Sequence, residues 1–333
     1  VTVERIDASV AGRWKLGDTF VNRMGFGSMR LTVRADRERA VRVLRRAVEL
    51  GVDHIDTAAF YFSPGGILDG EDGPVRFAAE LIRGALTPYP EGLMIVTKVG
   101  PDPRADGGWG EALTAEQLRR QVEENLRRLG VEALDLVNLR IVRDRERFAE
   151  RFGALAEMRA EGLIRHLGIS NVGVEQLDEA QRIAPVACVQ NAFATDLRRH
   201  EDLLRECGAR GIAFVPFFAI AGPKRETGPG REAGPGREAG PGREAGPGRE
   251  AGPGQETGPG QEGGVTAGDD RAEWRIARRR GVSGHQVRLA WTLHQGPHVL
   301  AIPGTGDVAH LEENIAAGGI RLTAGELAEI DQR

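Results

Sequence analysis

Short apolar runs alternate with longer amphipathic stretches along most of the chain. "VNRMGFG" precedes "DRERAVRVLRRAVELG", where Ala40, Val43, Leu44, Ala47 and Val48 recur at helical spacing. "VDHIDT" leads, through a glycine-rich loop from Ser63 to Gly73, to "VRFAAELIRGAL". "GLMIVTKVG" leads to "TAEQLRRQVEENLRRLG", whose opening Thr-x-x-Gln predicts a capping box and whose final glycine predicts a stop. "LDLVNLR", "IRHLGIS" and "ACVQNAF" are each followed by a helical pattern, in "RERFAERFGALAEMRAEG", "VEQLDEAQRI" and "HEDLLRECGARG". "IAFVPFF" is followed, beyond a repeat, by "RAEWRIARRRG" and "HQVRLAWTLHQG". "HVLAIPG" leads to "VAHLEENIAAGG", and a short helix in "AGELAEID" ends the chain.

These are eight strand-then-helix units. Their strands are short and mostly apolar, as strands buried on both faces should be. Eight units are the number that closes a (β/α)₈ TIM barrel, so an α/β barrel is the expected fold. A doubly wound open sheet would need Gly-x-Gly-x-x-Gly in its first turn, and "GFGSMR" lacks that pattern.

One stretch breaks the alternation. From Thr227 to Glu262 a hexad of the type Ala-Gly-Pro-Gly-Arg-Glu runs six times, after a degenerate copy, "AGPKRE". Glycine, proline and charge cannot bury enough apolar area to offset the entropy of ordering, so the tract reads as a disordered insert after strand 7. The glycines do not keep a constant third-residue frame, which excludes a collagen helix. Residues 1–333 otherwise read as a single barrel domain, with 227–262 as a tolerated surface expansion.

Composition narrows the possibilities. The net charge of −4 provides no global field for nucleic acid or an anionic membrane. No apolar run approaches the ~20 residues of a membrane span, and the first residues lack a signal-peptide pattern. A soluble, cytoplasmic monomer or weak oligomer acting on a small molecule is expected. The two cysteines, Cys188 and Cys207, have no disulfide framework or metal-ligand spacing, so no metal is expected and both read as small buried hydrophobes. Among 45 basic residues only Lys15, Lys98 and Lys224 are lysines. Where arginine is the usual cation, a lysine points to a role for a compact ammonium.

In a barrel of this type, chemistry gathers at the C-terminal ends of strands and in the loops that follow. Asp56 ends strand 2, with Tyr61 just beyond it; Lys98 ends strand 3 and Arg140 strand 4. Ser170 and Asn171 end strand 5, while Gln190 and Asn191 fall on strand 6. An acid, a phenol, an ammonium and a guanidinium are thus directed toward one mouth. Tyr61 is one of only two tyrosines; the other, Tyr89, lies in the turn-like "TPYPEG".

"DTAAFY", "VTKVG", "GISN", "VQN" and "IPGTGDVAHLEEN" stand in the order and spacing of the aldo-keto reductases, and the chain resembles that family over nearly its whole length. The resemblance implies a barrel that binds extended NADPH and reduces a carbonyl to an alcohol. Tyr61 would then be the general acid, Lys98 the cation beside it, and Asp56 the carboxylate paired with Lys98. The chemistry suits these groups: hydride arriving at a carbonyl carbon leaves charge on oxygen, which a positioned donor relieves.

The resemblance also implies that Ser170, Asn171 and Gln190 hold the nicotinamide carboxamide and that Phe217 stacks on its ring. Thr305 and His310 would meet the adenosine 2′-phosphate, Glu313 and Asn314 the adenine, and Gly27, Ser28 and Met29 would line the same groove. Thr305 stands just ahead of a helix start, a natural anion site. Three departures are visible. Gly304 stands where many relatives carry lysine, His310 where many carry arginine, and Arg140 where most carry histidine. An arginine is always charged and only donates, so Arg140 could polarise a carbonyl but cannot act as a neutral relay. "VNRMGFGSMRL", "DHIDTAAFY" and "DLVNLR" look most like a bacterial branch that includes a pyridoxal reductase, which makes pyridoxal the candidate substrate. The alternatives are a reductase for another carbonyl compound and a non-catalytic NADPH-binding sensor or subunit.

Overall fold

The computed structural model describes residues 6–68, 70–103, 108–220 and 270–332. Seven parallel strands form its centre: β1 (Phe26–Gly27), β2 (His54–Asp56), β3 (Met94–Val99), β4 (Leu134–Arg140), β5 (Ile164–Ser170), β6 (Val186–Gln190) and β7 (Ala213–Phe214). Each pairs with its neighbours in chain order. The eighth position is filled by residues 299–301: Val299 bridges to Phe214 and Ala301 to Met24, closing β7 onto the first strand. This last segment stays short because Pro303 has no N–H to extend the ladder. The chain is a (β/α)₈ barrel.

The helices between strands are α1 (Arg37–Glu49), α2 (Ala78–Leu86), α3 (Ala115–Leu129), α4 (Phe148–Ala160), α5 (Val174–Ile183) and α6 (Glu201–Ala209). After the repeat come α7 (Ala272–Arg280), α8 (Gly284–His294), α9 (Val308–Ala316) and α10 (Ala324–Asp331). Their ends follow local chemistry. Thr114 and Gln117 form the expected capping box on α3, and Gly130 ends it in the left-handed region at φ 69°. Ser283 with Gln286 and Thr323 with Glu326 do the same for α8 and α10. The apolar stripe of α1 is buried at Ala40, Val43, Leu44 and Ala47. Removing one such side chain, as in Leu44→Ala, is expected to cost ~2–5 kcal/mol.

The barrel interior has its own cluster, in which Met94, Val96, Leu136, Cys188, Ala213, Val215 and Leu300 meet Leu16 and Val21. Leu16 and Val21 come from an antiparallel hairpin, Arg13–Leu16 with Thr19–Asn22, that plugs the end of the barrel where Met94 begins β3. This corrects the reading of "VNRMGFG" as one strand. Its first two residues belong to the plug, and the barrel strand is confined to Phe26–Gly27 with the bridge at Met24.

Two further hairpins were not anticipated. Phe62–Ser63 pairs with Arg76–Phe77, so part of the glycine-rich loop is ordered and α2 begins at Ala78 rather than Val75. Pro101–Pro103 pairs with Trp109–Glu111. Ladders of two or three residues are too short to show a period. The repeat at 227–262, read as disordered, lies outside the described residues.

Candidate active site

Register decides which strand ends stand level. Gly27 lies opposite Asp56, Asn138 opposite Lys98, Arg140 opposite Ser170, and Ser170 opposite Gln190. Residues distant in sequence therefore share one rim.

At its centre the Lys98 Nζ donates to Asp56 Oδ1 at 2.6 Å and to the Thr57 carbonyl at 2.8 Å. Gln190 Nε2 donates to the other carboxylate oxygen of Asp56 at 2.7 Å. The same ammonium stands 4.6 Å from the centroid of the Tyr61 ring. Burial opposes the charge on Lys98, but Asp56 first and Tyr61 after it overcome that penalty and raise the ammonium above the ordinary lysine value. Tyr61 is half-buried at the end of the turn after β2, where its N–H donates to the Ala58 carbonyl.

Arg140, at the end of β4, is half-buried. It donates to Ser170 Oγ at 3.2 Å, and its guanidinium carbon lies 4.7 Å from the Phe217 ring centroid. Asn171 adopts a left-handed φ of 61°, and its Nδ2 donates to the Ile141 carbonyl at 2.8 Å. Asn191, on the other hand, clamps the backbone of Val172 through both ends of its amide.

The groove toward the last unit is built by backbone contact. A Cβ on Gly304 would lie 2.5 Å from the Gly27 carbonyl oxygen, and one on Gly27 would lie 2.6 Å from the Ile302 carbonyl oxygen. Ser28 is fully buried and its N–H donates to the Asp56 carbonyl, while Met29 opens a short 3₁₀ turn. Thr305 is buried and its Oγ1 accepts from the Asp307 N–H at 3.1 Å. His310 is exposed on α9, and Asn314 is buried. Glu313 accepts from the Ser283 hydroxyl, which ties its carboxylate to the cap of α8.

Chain comparison adds to this geometry. The aldo/keto reductase family model matches residues 23–333. The chain belongs to the aldo/keto reductase family. It is 35% identical over 328 residues to pyridoxine 4-dehydrogenase of Escherichia coli (strain K12), covering 95% of this chain and 96% of that protein. It is also 35% identical over 333 residues to an uncharacterised oxidoreductase of Schizosaccharomyces pombe (strain 972 / ATCC 24843), covering 98% of this chain and 91% of the other. An aldo-keto reductase from Klebsiella pneumoniae, solved in complex with NADPH, superposes with a TM-score of 0.71 at 25% identity, covering 96% of this chain and 94% of that one.

Three residues escaped the sequence reading. Thr57 gives Lys98 a carbonyl acceptor, and its Oγ1 is buried without a partner among the described residues. Trp109, on an unanticipated hairpin, sets its ring edge-on to Phe60 at 6.1 Å, and Phe60 is in turn edge-on to Tyr61 at 5.3 Å. Arg39 reaches from α1 to the start of α9, where it donates to the Gly306 carbonyl and to Asp307 at 2.9 Å. In a chain with only 5% aromatic residues, Trp109 was the one with a signal to follow. The expected anion site at the start of α9 is capped by the chain's own Asp307, whose Oδ1 accepts from the Ala309 and His310 N–H groups.

Proposed function

We propose that this aldo/keto reductase uses NADPH to reduce a small aldehyde or ketone to an alcohol, with Tyr61 as general acid and pyridoxal as the candidate substrate. The observation that carries the proposal is the grouping of half-buried Tyr61 with the buried pair Lys98 and Asp56. The substrate class is supported by pyridoxine 4-dehydrogenase, whose named reaction, run backwards, reduces the pyridoxal aldehyde.

The residues present fit the cofactor. Ser28 Oγ, Thr57 Oγ1 and Gln190 Oε1 are buried, have no hydrogen-bond partner among the described residues, and belong to residues bonded or adjacent to Asp56. Buried polar atoms are ordinarily satisfied, so this set suits a polar ligand. Ser170, Asn171 and Gln190 would hold the carboxamide, and Phe217 the ring face. Thr305 and His310 would meet the 2′-phosphate, with Arg39 supplying the cation that offsets Asp307. Glu313 and Asn314 would border the adenine, and Gly27, Ser28 and Met29 the wall beside it.

When bound, NADPH supplies a hydride. The protein's task is the accompanying proton. The Tyr61 hydroxyl donates it to the carbonyl oxygen as charge develops there. Lys98 stabilises the phenolate left behind, and Asp56 with the Thr57 carbonyl keeps the ammonium aimed. Arg140 donates hydrogen bonds toward the substrate's oxygen or ring substituents.

Single-turnover hydride transfer from NADPH to pyridoxal tests this reading. Tyr61→Phe is expected to lose ~10²–10⁴ in rate while NADPH affinity is unchanged. A wild type that binds NADPH but reduces no aldehyde, and behaves like Tyr61→Phe, would make the chain a cofactor-binding sensor instead.

A further inference from the structure

We propose that the buried ion pair Arg151–Glu111 is a latch that positions the Trp109 hairpin beside Tyr61, and that it governs aldehyde binding without governing cofactor binding. The inference rests on the reading of Tyr61 as proton donor and deepens it. It starts from a charge in an apolar place. Arg151 lies on the buried stripe of α4 with Phe148, Phe152 and Leu155. Its side chain is 0% exposed, and its Nη1 donates to Glu111 Oε2 at 2.7 Å and to the Asp144 carbonyl at 3.3 Å. A guanidinium out of water needs a partner of opposite charge, and Glu111, 7% exposed, is that partner.

The other oxygen of Glu111 makes a second connection. Oε1 accepts from the Arg143 and Asp144 N–H groups, in the loop directly after Arg140. One carboxylate therefore ties together the segments that follow the neighbouring strands β3 and β4. The hairpin needs this tie. Pro101 and Pro103 stand opposite Glu111 and Trp109 in its ladder and bring no N–H to it. Its first arm is held by Gln121 of α3, whose Nε2 donates to the Pro101 carbonyl at 3.0 Å. The second arm, which carries Trp109, is held at Glu111 and by the Ala112 N–H donating to the Gly100 carbonyl.

From Trp109 the path to the chemistry is short. Its ring is edge-on to Phe60 at 6.1 Å, and Phe60 is edge-on to Tyr61 at 5.3 Å. A hairpin that drifts thus moves the wall beside the proton donor, and a displacement of about 1 Å can cost up to ~10²-fold in rate. The described partners of the Glu111 carboxylate are Arg143, Asp144 and Arg151, none of them assigned to NADPH. Loss of the latch therefore falls on the aldehyde.

The test pairs two measurements on the full chain. Amide hydrogen exchange without cofactor or substrate follows residues 109–112, and steady-state kinetics with NADPH and pyridoxal follows the site. Arg151→Met should speed exchange in that segment by about tenfold or more and leave β3 protected. It should lower kcat/KM for pyridoxal by about 10–10²-fold through KM, with kcat and NADPH affinity unchanged. Arg151→Lys should stay close to wild type, because Nη1 alone makes both contacts and an ammonium can replace it. Trp109→Ala should itself raise KM, and adding Arg151→Met should raise it little further. Unchanged exchange in a folded Arg151→Met protein overturns the inference. So does a loss of NADPH affinity that matches the KM effect, or effects of Arg151→Met and Trp109→Ala that multiply. Should Arg151→Met not fold, Glu111→Gln, which keeps the side chain's size and an acceptor for the two N–H groups, is read in the same way. A wild type that reduces no aldehyde overturns the reductase reading, and the exchange rates then decide the latch alone.

Discussion

The carboxylate of Asp56 and the ammonium of Lys98 are 2.6 Å apart, and each side chain is only 3% exposed. A buried pair of this kind is costly to break from one side, because the remaining charge has no water to turn to. Asp56→Asn should destabilise the barrel by ~3–5 kcal/mol at neutral pH, and Asp56→Asn with Lys98→Met by less than the sum of the single changes.

The pH dependence of this pair follows from Lys98, whose folded value is raised above its ordinary 10.5 by Asp56 and Tyr61 against the cost of burial. The stabilisation is fully present below 10.5 and is lost as pH rises through the higher folded value. Urea midpoints of wild type and Asp56→Asn should therefore differ at neutral pH and converge only in strongly alkaline solution. Equal midpoints at neutral pH would show that the pair adds nothing to stability.

Tyr89 is the tyrosine with no place in the chemistry. Its hydroxyl donates to the carbonyl of Leu129, the last residue of α3, at 2.7 Å. Burial pushes the phenol from 10.0 up to about 12. The folded state holds this proton more tightly than the unfolded chain does. Its contribution is complete below 10.0 and disappears as pH climbs toward about 12. Tyr89→Phe should cost about 1 kcal/mol at neutral pH, leave turnover unaltered, and remove a late-titrating phenolate from the ultraviolet spectrum. A loss of turnover would place Tyr89 in the catalytic machinery after all.

Gly304 shows why one family substitution does not transfer directly. Its missing side chain lets its backbone approach the Gly27 carbonyl, where a Cβ would come within 2.5 Å. Both walls of that contact are backbone, so any side chain must part the first and last barrel segments. Gly304→Ala should cost ~1–3 kcal/mol and weaken NADPH binding. Gly304→Lys, which places there the lysine expected from the family resemblance, should weaken binding too. The check is a cofactor titration alongside a denaturation midpoint, and a Gly304→Lys protein that gains affinity at unchanged stability would refute this account.

The sequence by itself determined the helices, most of the barrel strands and the residues at strand ends. Those features are local. The stripe Ala40, Val43, Leu44 and Ala47, the Thr114–Gln117 box and the stop at Gly130 each lie within a few residues of the chain, where periodicity and capping act. Only the tertiary structure decided which strand ends stand level, as Arg140 does with Ser170 and Ser170 with Gln190. It also decided that Leu16 and Val21 close the barrel floor, that Arg39 on α1 reaches Asp307, and that Gly27 meets Gly304 backbone to backbone. These contacts join segments far apart in the chain, and they exist only after the barrel has closed and brought its first and last strands together.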